Sequence, residues 1–491
     1  MSVSFVWWGI ILYITVAGLV AYRSRSGKSS SMAGYFLGNR EMGGFVSALS
    51  YSATTYSAFM MVGLAGLTYQ GGVGALGFEL LYLCGVSLVA IFGPRFWLAG
   101  KQFGYVTPTE MLGDRYDSKA VSVVTALFSC IFLIPYTAVQ LAGVGYLLQG
   151  MTDNAISFTT GAVIATILAV VFSLAAGLRS VAWTDALQAV MMIITATAIV
   201  LVVISSLGGL GPFFQTIKTE HPGMLSVPGN GYFTFSTFLG LTLPWIFFSI
   251  SNPQVSQRLF TVRSMKDLRR MLLGFLCFGF IYTLVSVFWG FSALIQFPDL
   301  ANADLATPKL LASTLVPTVL GVIVMVGIMA AAISTVDSIL LTLSSLVARD
   351  VFPRLKKQSD EGRQLFVGKL VIPIIAILAY LFARLELNLI AVLSVSASAG
   401  LLVMVPAIIG AFFWKRGSAA GVLVSVIVSG LLVIFLELTK IKWLGHGSGV
   451  WGFLVSLTLY IGVSLLTKAP EEKASRFLSY IKDALKHKGA I

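Results

Sequence analysis

Charge is what this sequence has least of. Only 11% of its 491 residues are Asp, Glu, Lys or Arg, against about 25% in a soluble globular domain. With 57% hydrophobic residues and a mean hydropathy of +0.91, most of its surface must face lipid rather than water. Cysteine is scarce too. Cys84, Cys130 and Cys277 all sit in apolar runs, and an odd number at that depth excludes a disulfide framework. The three histidines, His221, His446 and His487, lie in loops or the tail, which excludes a histidine proton relay inside the membrane. No G-x-x-x-x-G-K-[ST] phosphate loop occurs, and no nucleophile–base–orienter set is visible, so neither ATP-driven work nor enzymatic chemistry is indicated.

What is present is a succession of apolar runs. A spanning helix needs about 20 mostly apolar residues. Thirteen runs qualify: 5–22, 44–68, 75–97, 120–148, 155–175, 180–206, 235–257, 271–294, 315–348, 366–384, 388–413, 418–439 and 448–467. The ninth is too long for one straight span and is expected to begin with a short external helix. The first lacks a basic residue ahead of it and is followed by Arg23, Arg25 and Lys28, the polarity of an anchor with its N-terminus outside. Thirteen spans then leave the C-terminus in the cytoplasm. On that threading 28 of the 33 basic residues fall on the inner side, and only Lys218, Lys309, Arg384, Lys440 and Lys442 fall outside. The net charge of +13 is therefore a topology signal of a plasma-membrane protein, not a nucleic-acid footprint. The fold class is an all-α integral membrane protein, with one domain over 1–467 and a tail at 468–491. The tail is expected to be solvated, with binding to anionic lipid as the alternative.

The threading leaves no Lys or Arg deep in the hydrocarbon core, but three carboxylates do lie there: Glu79, Asp185 and Asp337. Each costs several kcal/mol unless paired, hydrated or protonated. Arg179 and Arg258, assigned to the inner face, are near enough in sequence register to reach Asp185. The second span reads Ala48-Leu-Ser-Tyr-Ser-Ala-Thr-Thr-Tyr-Ser57 and then turns glycine-rich. An unwound stretch there would free carbonyls for a bound ion; a continuous helix with small packing residues is the competing reading. In the seventh span Pro253 disfavours helix at Asn252, giving a break or a packing kink. In the ninth, Ala331, Ser334, Thr335 and Ser338 fall on one helical face with Asp337 alongside. Hard oxygen donors of that kind suit a hard cation, although single hydroxyls also bond back to their own helix. In the sixth, Thr184, Asp185 and Gln188 cluster within two turns, which also suits an interfacial helix start. The two interrupted spans are five helices apart, the spacing of two inverted five-helix repeats, about 44–206 and 235–413, with a midplane site.

Taken in order, Tyr35-Phe-Leu-Gly-Asn-Arg40, residues 53–66, Val181-Ala-Trp-Thr-Asp185, Asn252-Pro253-Gln254, residues 331–338 and Lys415-Arg-Gly-Ser-Ala-Ala-Gly421 resemble the solute:sodium symporter family over nearly the whole chain. This family includes sodium/proline, sodium/pantothenate, sodium/glucose and sodium/sialic acid transporters. The resemblance implies thirteen spans, the inner ten in the inverted-repeat fold of the bacterial leucine transporter, and alternating access without ATP. It implies a main sodium site at Ala53, Tyr56, Ala331, Ser334 and Thr335. A second cation site, for sodium or a proton, would use Asp185, Ser334, Asp337 and Ser338; family members with that site typically carry a hydroxyl where this chain has Asp337. The implied solute contacts are Thr55, Ser57, Met60 and Glu79, with Gln140, Trp245, Ser249 and Asn252 as further lining residues. Sodium/proline members place an aromatic residue at the position of Ser249 and an acidic one at Thr55, so the match to proline is not close. The Phe-Leu-Gly-Asn-Arg stretch looks more like the pantothenate branch. With no basic residue at the site, a carboxylate solute would have to be met by hydroxyls, amides or the sodium itself.

The resulting expectation is a sodium-coupled symporter, working as a monomer, without a cofactor. Its solute would be a small organic molecule: an organic acid such as pantothenate or a monocarboxylate, or an amino acid. A proton-coupled symporter of the same fold is the alternative. A receptor keeping the fold is disfavoured by a tail of 24 residues, too few for a signalling domain.

Overall fold

The computed structural model describes residues 2–23, 31–355, 360–386 and 390–487. Among these the chain is helical almost throughout, and its only β feature is an isolated parallel bridge between Met42 and Val262. Eleven helices among the described residues are long and apolar enough to cross a membrane. The two expected spans absent from that set are the second and the seventh, and both are interrupted. Helix Gly44–Thr55 stops, and a π-helical turn Phe59–Leu64 and helix Ala65–Gly71 follow. The seventh breaks into Phe235–Ile246, Phe248–Ser251 and Pro253–Ser256. Pro253 opens the last piece after Asn252 has left helical geometry at φ −87° and ψ 112°. The Met42–Val262 bridge ties the entry of one broken span to the exit of the other.

Most other expected runs coincide with helices. The fifth and sixth form one helical run, Phe158–Ser206, turned at Gly177, whose φ of +63° only glycine adopts cheaply. A Cβ there would also lie 3.1 Å from the Tyr35 ring and carbonyl, and Tyr35 hydrogen-bonds the Ser173 carbonyl across the same corner at 2.8 Å. Gly177→Ala is expected to cost about 1–2 kcal/mol, read as a lower melting temperature with unchanged sodium dependence.

Three expectations need correction. The short helix before the ninth span lies upstream of the apolar run, at Ala306–Ala312, and the run itself is one continuous helix from Thr318 to Leu346, started after Pro317. The tail is not a free solvated strand: Glu471–His487 is a helix whose Ala474, Phe477, Ile481 and Leu485 are buried. That spacing makes one apolar stripe, and it packs on the bundle through Phe477 against Phe103 and Phe412. Third, Arg258 is buried (6% exposed) rather than at the inner surface. Arg25, Lys28, Lys356, Lys357, Lys488 and the first two residues of run 388–413 lie outside the described residues. The exposed side chains are largely apolar, among them Leu12, Ile194, Leu201, Phe366 and Leu431, as a lipid-facing surface requires.

On the expected outer face the segment 207–234 contains helix Leu210–Glu220 and folds back onto the turn between the second and third spans. The Met224 carbonyl accepts from Val73 N–H at 2.8 Å, and Gly72 and Gly74 leave room for Met224 and Phe233 that a side chain would take.

Candidate functional site

Within the second span, Ser52, Thr54 and Thr55 each donate to the carbonyl four residues back, at 2.8, 2.9 and 2.8 Å. Such back-bonding loosens and bends a helix, and the helix gives out at Tyr56, with φ −92° and ψ 75°. The ninth span crosses at this break. The Thr335 hydroxyl lies 3.1 Å from the Ala53 carbonyl, 3.3 Å from Thr54 and 3.0 Å from Ala331, and Ser334 reaches the Ala331 carbonyl at 3.2 Å. Ala53, Ala331, Ser334 and Thr335 thus converge on one buried spot, with Tyr56 at the break beside it. The oxygens are three uncharged carbonyls, of Ala53, Thr54 and Ala331, and two hydroxyls. Such hard oxygens match a small hard monovalent cation.

The second expected cation set does not assemble in this way. Arg258 reaches in from the short turn Gln257–Phe260 that follows the broken seventh span. Its Nη2 lies 3.2 Å from Asp185 Oδ2, and the guanidinium also donates to the hydroxyls of Ser50 and Ser338. Asp185 further accepts from Ser50 at 2.7 Å. A fixed cation therefore already engages Asp185 and Ser338, where the resemblance implied a site for sodium or a proton. Asp337 points elsewhere and accepts from Ser173 Oγ at 3.0 Å. The alternative partner for Asp185 raised from the sequence, Arg258, is the one the structure shows. Arg258 follows the apolar run so closely that a linear charge count assigns it to the loop, while its long stem carries the head inward.

The expected solute contacts fall into two groups. Thr55 and Ser57 spend their hydroxyls on their own chain, Thr55 on the Tyr51 carbonyl and Ser57 accepting from Phe59 N–H at 3.3 Å; Met60 packs in the core beside them. Glu79, Gln140, Ser249 and Asn252 are different. Among the described residues, both oxygens of Glu79, both amide atoms of Gln140, Ser249 Oγ and Asn252 Nδ2 are buried without a hydrogen-bond partner. Orphaned buried polar atoms are rare in proteins and call for an explanation. Trp245 packs on Phe78 and Tyr82, which share a helical face with Glu79. All eight expected contacts are at most 5% exposed, so this conformation closes the site from both faces.

The sequence reading missed the rings around this group. Trp245 packs 4.9 Å from Phe59, 5.7 Å from Phe78, 6.1 Å from Tyr82 and 5.0 Å from Phe248, and Tyr136 adds to the set through Phe248 at 5.8 Å. The phenols of Tyr56, Tyr82 and Tyr136 belong to the same packed set, and none has a hydrogen-bond partner among the described residues. A signal existed. Phe78, Glu79 and Tyr82 share a helical face on the third span, as do Tyr136 and Gln140 on the fourth.

Comparison with known proteins fits this geometry. The profile of the sodium:solute symporter family matches residues 35–429. The Escherichia coli (strain K12) sodium/pantothenate symporter is 27% identical over 477 residues, covering 94% of this chain and 97% of that protein. The osmoregulated proline transporter OpuE of Bacillus subtilis (strain 168) is 26% identical, covering 94% and 95%. Among solved structures, a substrate-bound, outward-open Na⁺-coupled sialic acid symporter matches with a TM-score of 0.79 at 22% identity, over 95% of this chain and 99% of that one. A closed nucleobase-cation-symport-1 family transporter matches with a TM-score of 0.57 at 14% identity, over 93% and 99%. These similarities carry the fold and the class: a transporter rather than an enzyme, with sodium as coupling ion and a small solute as cargo. The chain belongs to the sodium:solute symporter family.

Proposed function

We propose that the chain imports a small organic solute across the plasma membrane with one sodium ion bound by Ala53, Tyr56, Ala331, Ser334 and Thr335. The observation that carries this is the Thr335 hydroxyl drawn to carbonyls of two spans at once. An ion held there joins the broken second span to the ninth, so its binding favours one arrangement of the two. The solute lies against Glu79, Gln140, Trp245, Ser249 and Asn252, beside the same break. Each ligand strengthens the other's binding, as coupling requires. Arg258 on Asp185 and Ser338 favours one sodium over two. In this reading thirteen spans make up 1–467, with inverted repeats at 44–206 and 235–413. The N-terminus is outside, 468–491 is cytoplasmic, and the monomer is the working unit.

Uptake of radiolabelled pantothenate, monocarboxylates and amino acids into proteoliposomes, under separately imposed sodium and proton gradients, tests this. Accumulation should follow the sodium gradient. Accumulation that ignores sodium and follows the proton gradient would replace the reading with proton coupling.

A further inference from the structure

The solute's own charge is written into the surroundings of Glu79. Its side chain is 1% exposed, and neither oxygen has a hydrogen-bond partner among the described residues. Asp185, Asp337 and Asp350, also buried in spans, each accept hydrogen bonds from hydroxyls. A carboxylate cut off from water is costly to ionise unless it is paired, and a cationic group arriving with the cargo would supply that pair. Phe59, Phe78, Tyr82, Trp245 and Phe248 form a continuous set of rings next to it. Ring faces are electron-rich and attract cations. Rings and carboxylate together favour a positive group and repel a bare anion. The buried guanidinium of Arg258 does not offset this, because it is committed to Asp185.

Resting on the symport reading of this site, we propose that the transported solute carries a positively charged nitrogen, which pairs with Glu79 among the rings around Trp245. A zwitterion fits best. Its ammonium takes Glu79, while Gln140 and Asn252 hold unpartnered amide donors for its carboxylate. Among the candidate cargoes this selects amino acids and betaine-like molecules over pantothenate and simple monocarboxylates.

The test is a melting-temperature panel on the purified full-length protein, run in NaCl and again in KCl. One set of probes carries a charged nitrogen: tetramethylammonium, glycine betaine and L-alanine. The other carries only a carboxylate: acetate, propionate and pantothenate. At least one probe of the first set should raise the melting temperature, and none of the second. Glu79→Gln, nearly isosteric, should weaken the stabilising probe at least tenfold, and Trp245→Leu should weaken it independently. Stabilisation by carboxylates alone, an unchanged response in Glu79→Gln, or no response to any ammonium probe would each overturn the proposal. Identical melts in NaCl and KCl would sink the sodium reading instead, and the KCl panel would still decide the solute's charge.

Discussion

The double substitution Ser334→Ala/Thr335→Ala is expected to abolish stabilisation by sodium. A ligand present at 100 times its dissociation constant stabilises the folded state by about 2.7 kcal/mol. The wild type should therefore melt several degrees higher in NaCl than in KCl, and the double variant should melt alike in both. The argument lies in the oxygens. Thr335 alone approaches the carbonyls of Ala53, Thr54 and Ala331 within 3.0–3.3 Å, and Ser334 adds the second hydroxyl. Removing both takes away the two hydroxyls and leaves only carbonyls at this spot. Thr335→Ser restores an oxygen of the same kind and should recover most of the sodium response. A sodium response that survives in the double variant would move the ion elsewhere.

Asp185→Ala should be still more damaging, and for a reason independent of sodium. It leaves the Arg258 guanidinium buried without its counter-charge. Breaking a buried pair from one side costs about 3–5 kcal/mol, whereas replacing both partners by apolar groups is often far milder. Arg258→Met should therefore fall with Asp185→Ala, while Asp185→Leu/Arg258→Met should melt above either. The losses should be equal in NaCl and KCl. If Asp185→Ala instead removed only a sodium-dependent part of the stability, Asp185 would be an ion ligand in its own right.

How legible was this in the sequence? The interruptions were, because they are local. Hydroxyls four residues from accepting carbonyls weaken the second span, and Pro253 breaks the seventh. The hydroxyl row on the ninth span was legible as a helical face, and the family resemblance aimed it at Ala53. That Arg258 could reach Asp185 was legible, but its burial was not. Its neighbours in sequence belong to a loop, and only the turn after the broken span swings it under the sixth and ninth spans. The ring cluster was hidden for a different reason. Its members come from four spans, and in a chain that is 12% aromatic no single ring stands out. The tail's stripe at 474, 477, 481 and 485 was in plain view, but a mixed-charge composition drew attention away from its period.

The short helix Ala306–Ala312 is fastened to the broken span itself. Thr307 hydrogen-bonds the Met61 carbonyl inside the π-helical turn, Ala303 sits on Gly66, and Pro308 sits on Gly150. The π-helical turn of the broken span is thus held directly against this short external helix. A fluorophore on nearby exposed Thr314 is expected to change its emission when NaCl replaces KCl, before any cargo has been identified; an unchanged emission would mean that this helix does not follow the ion.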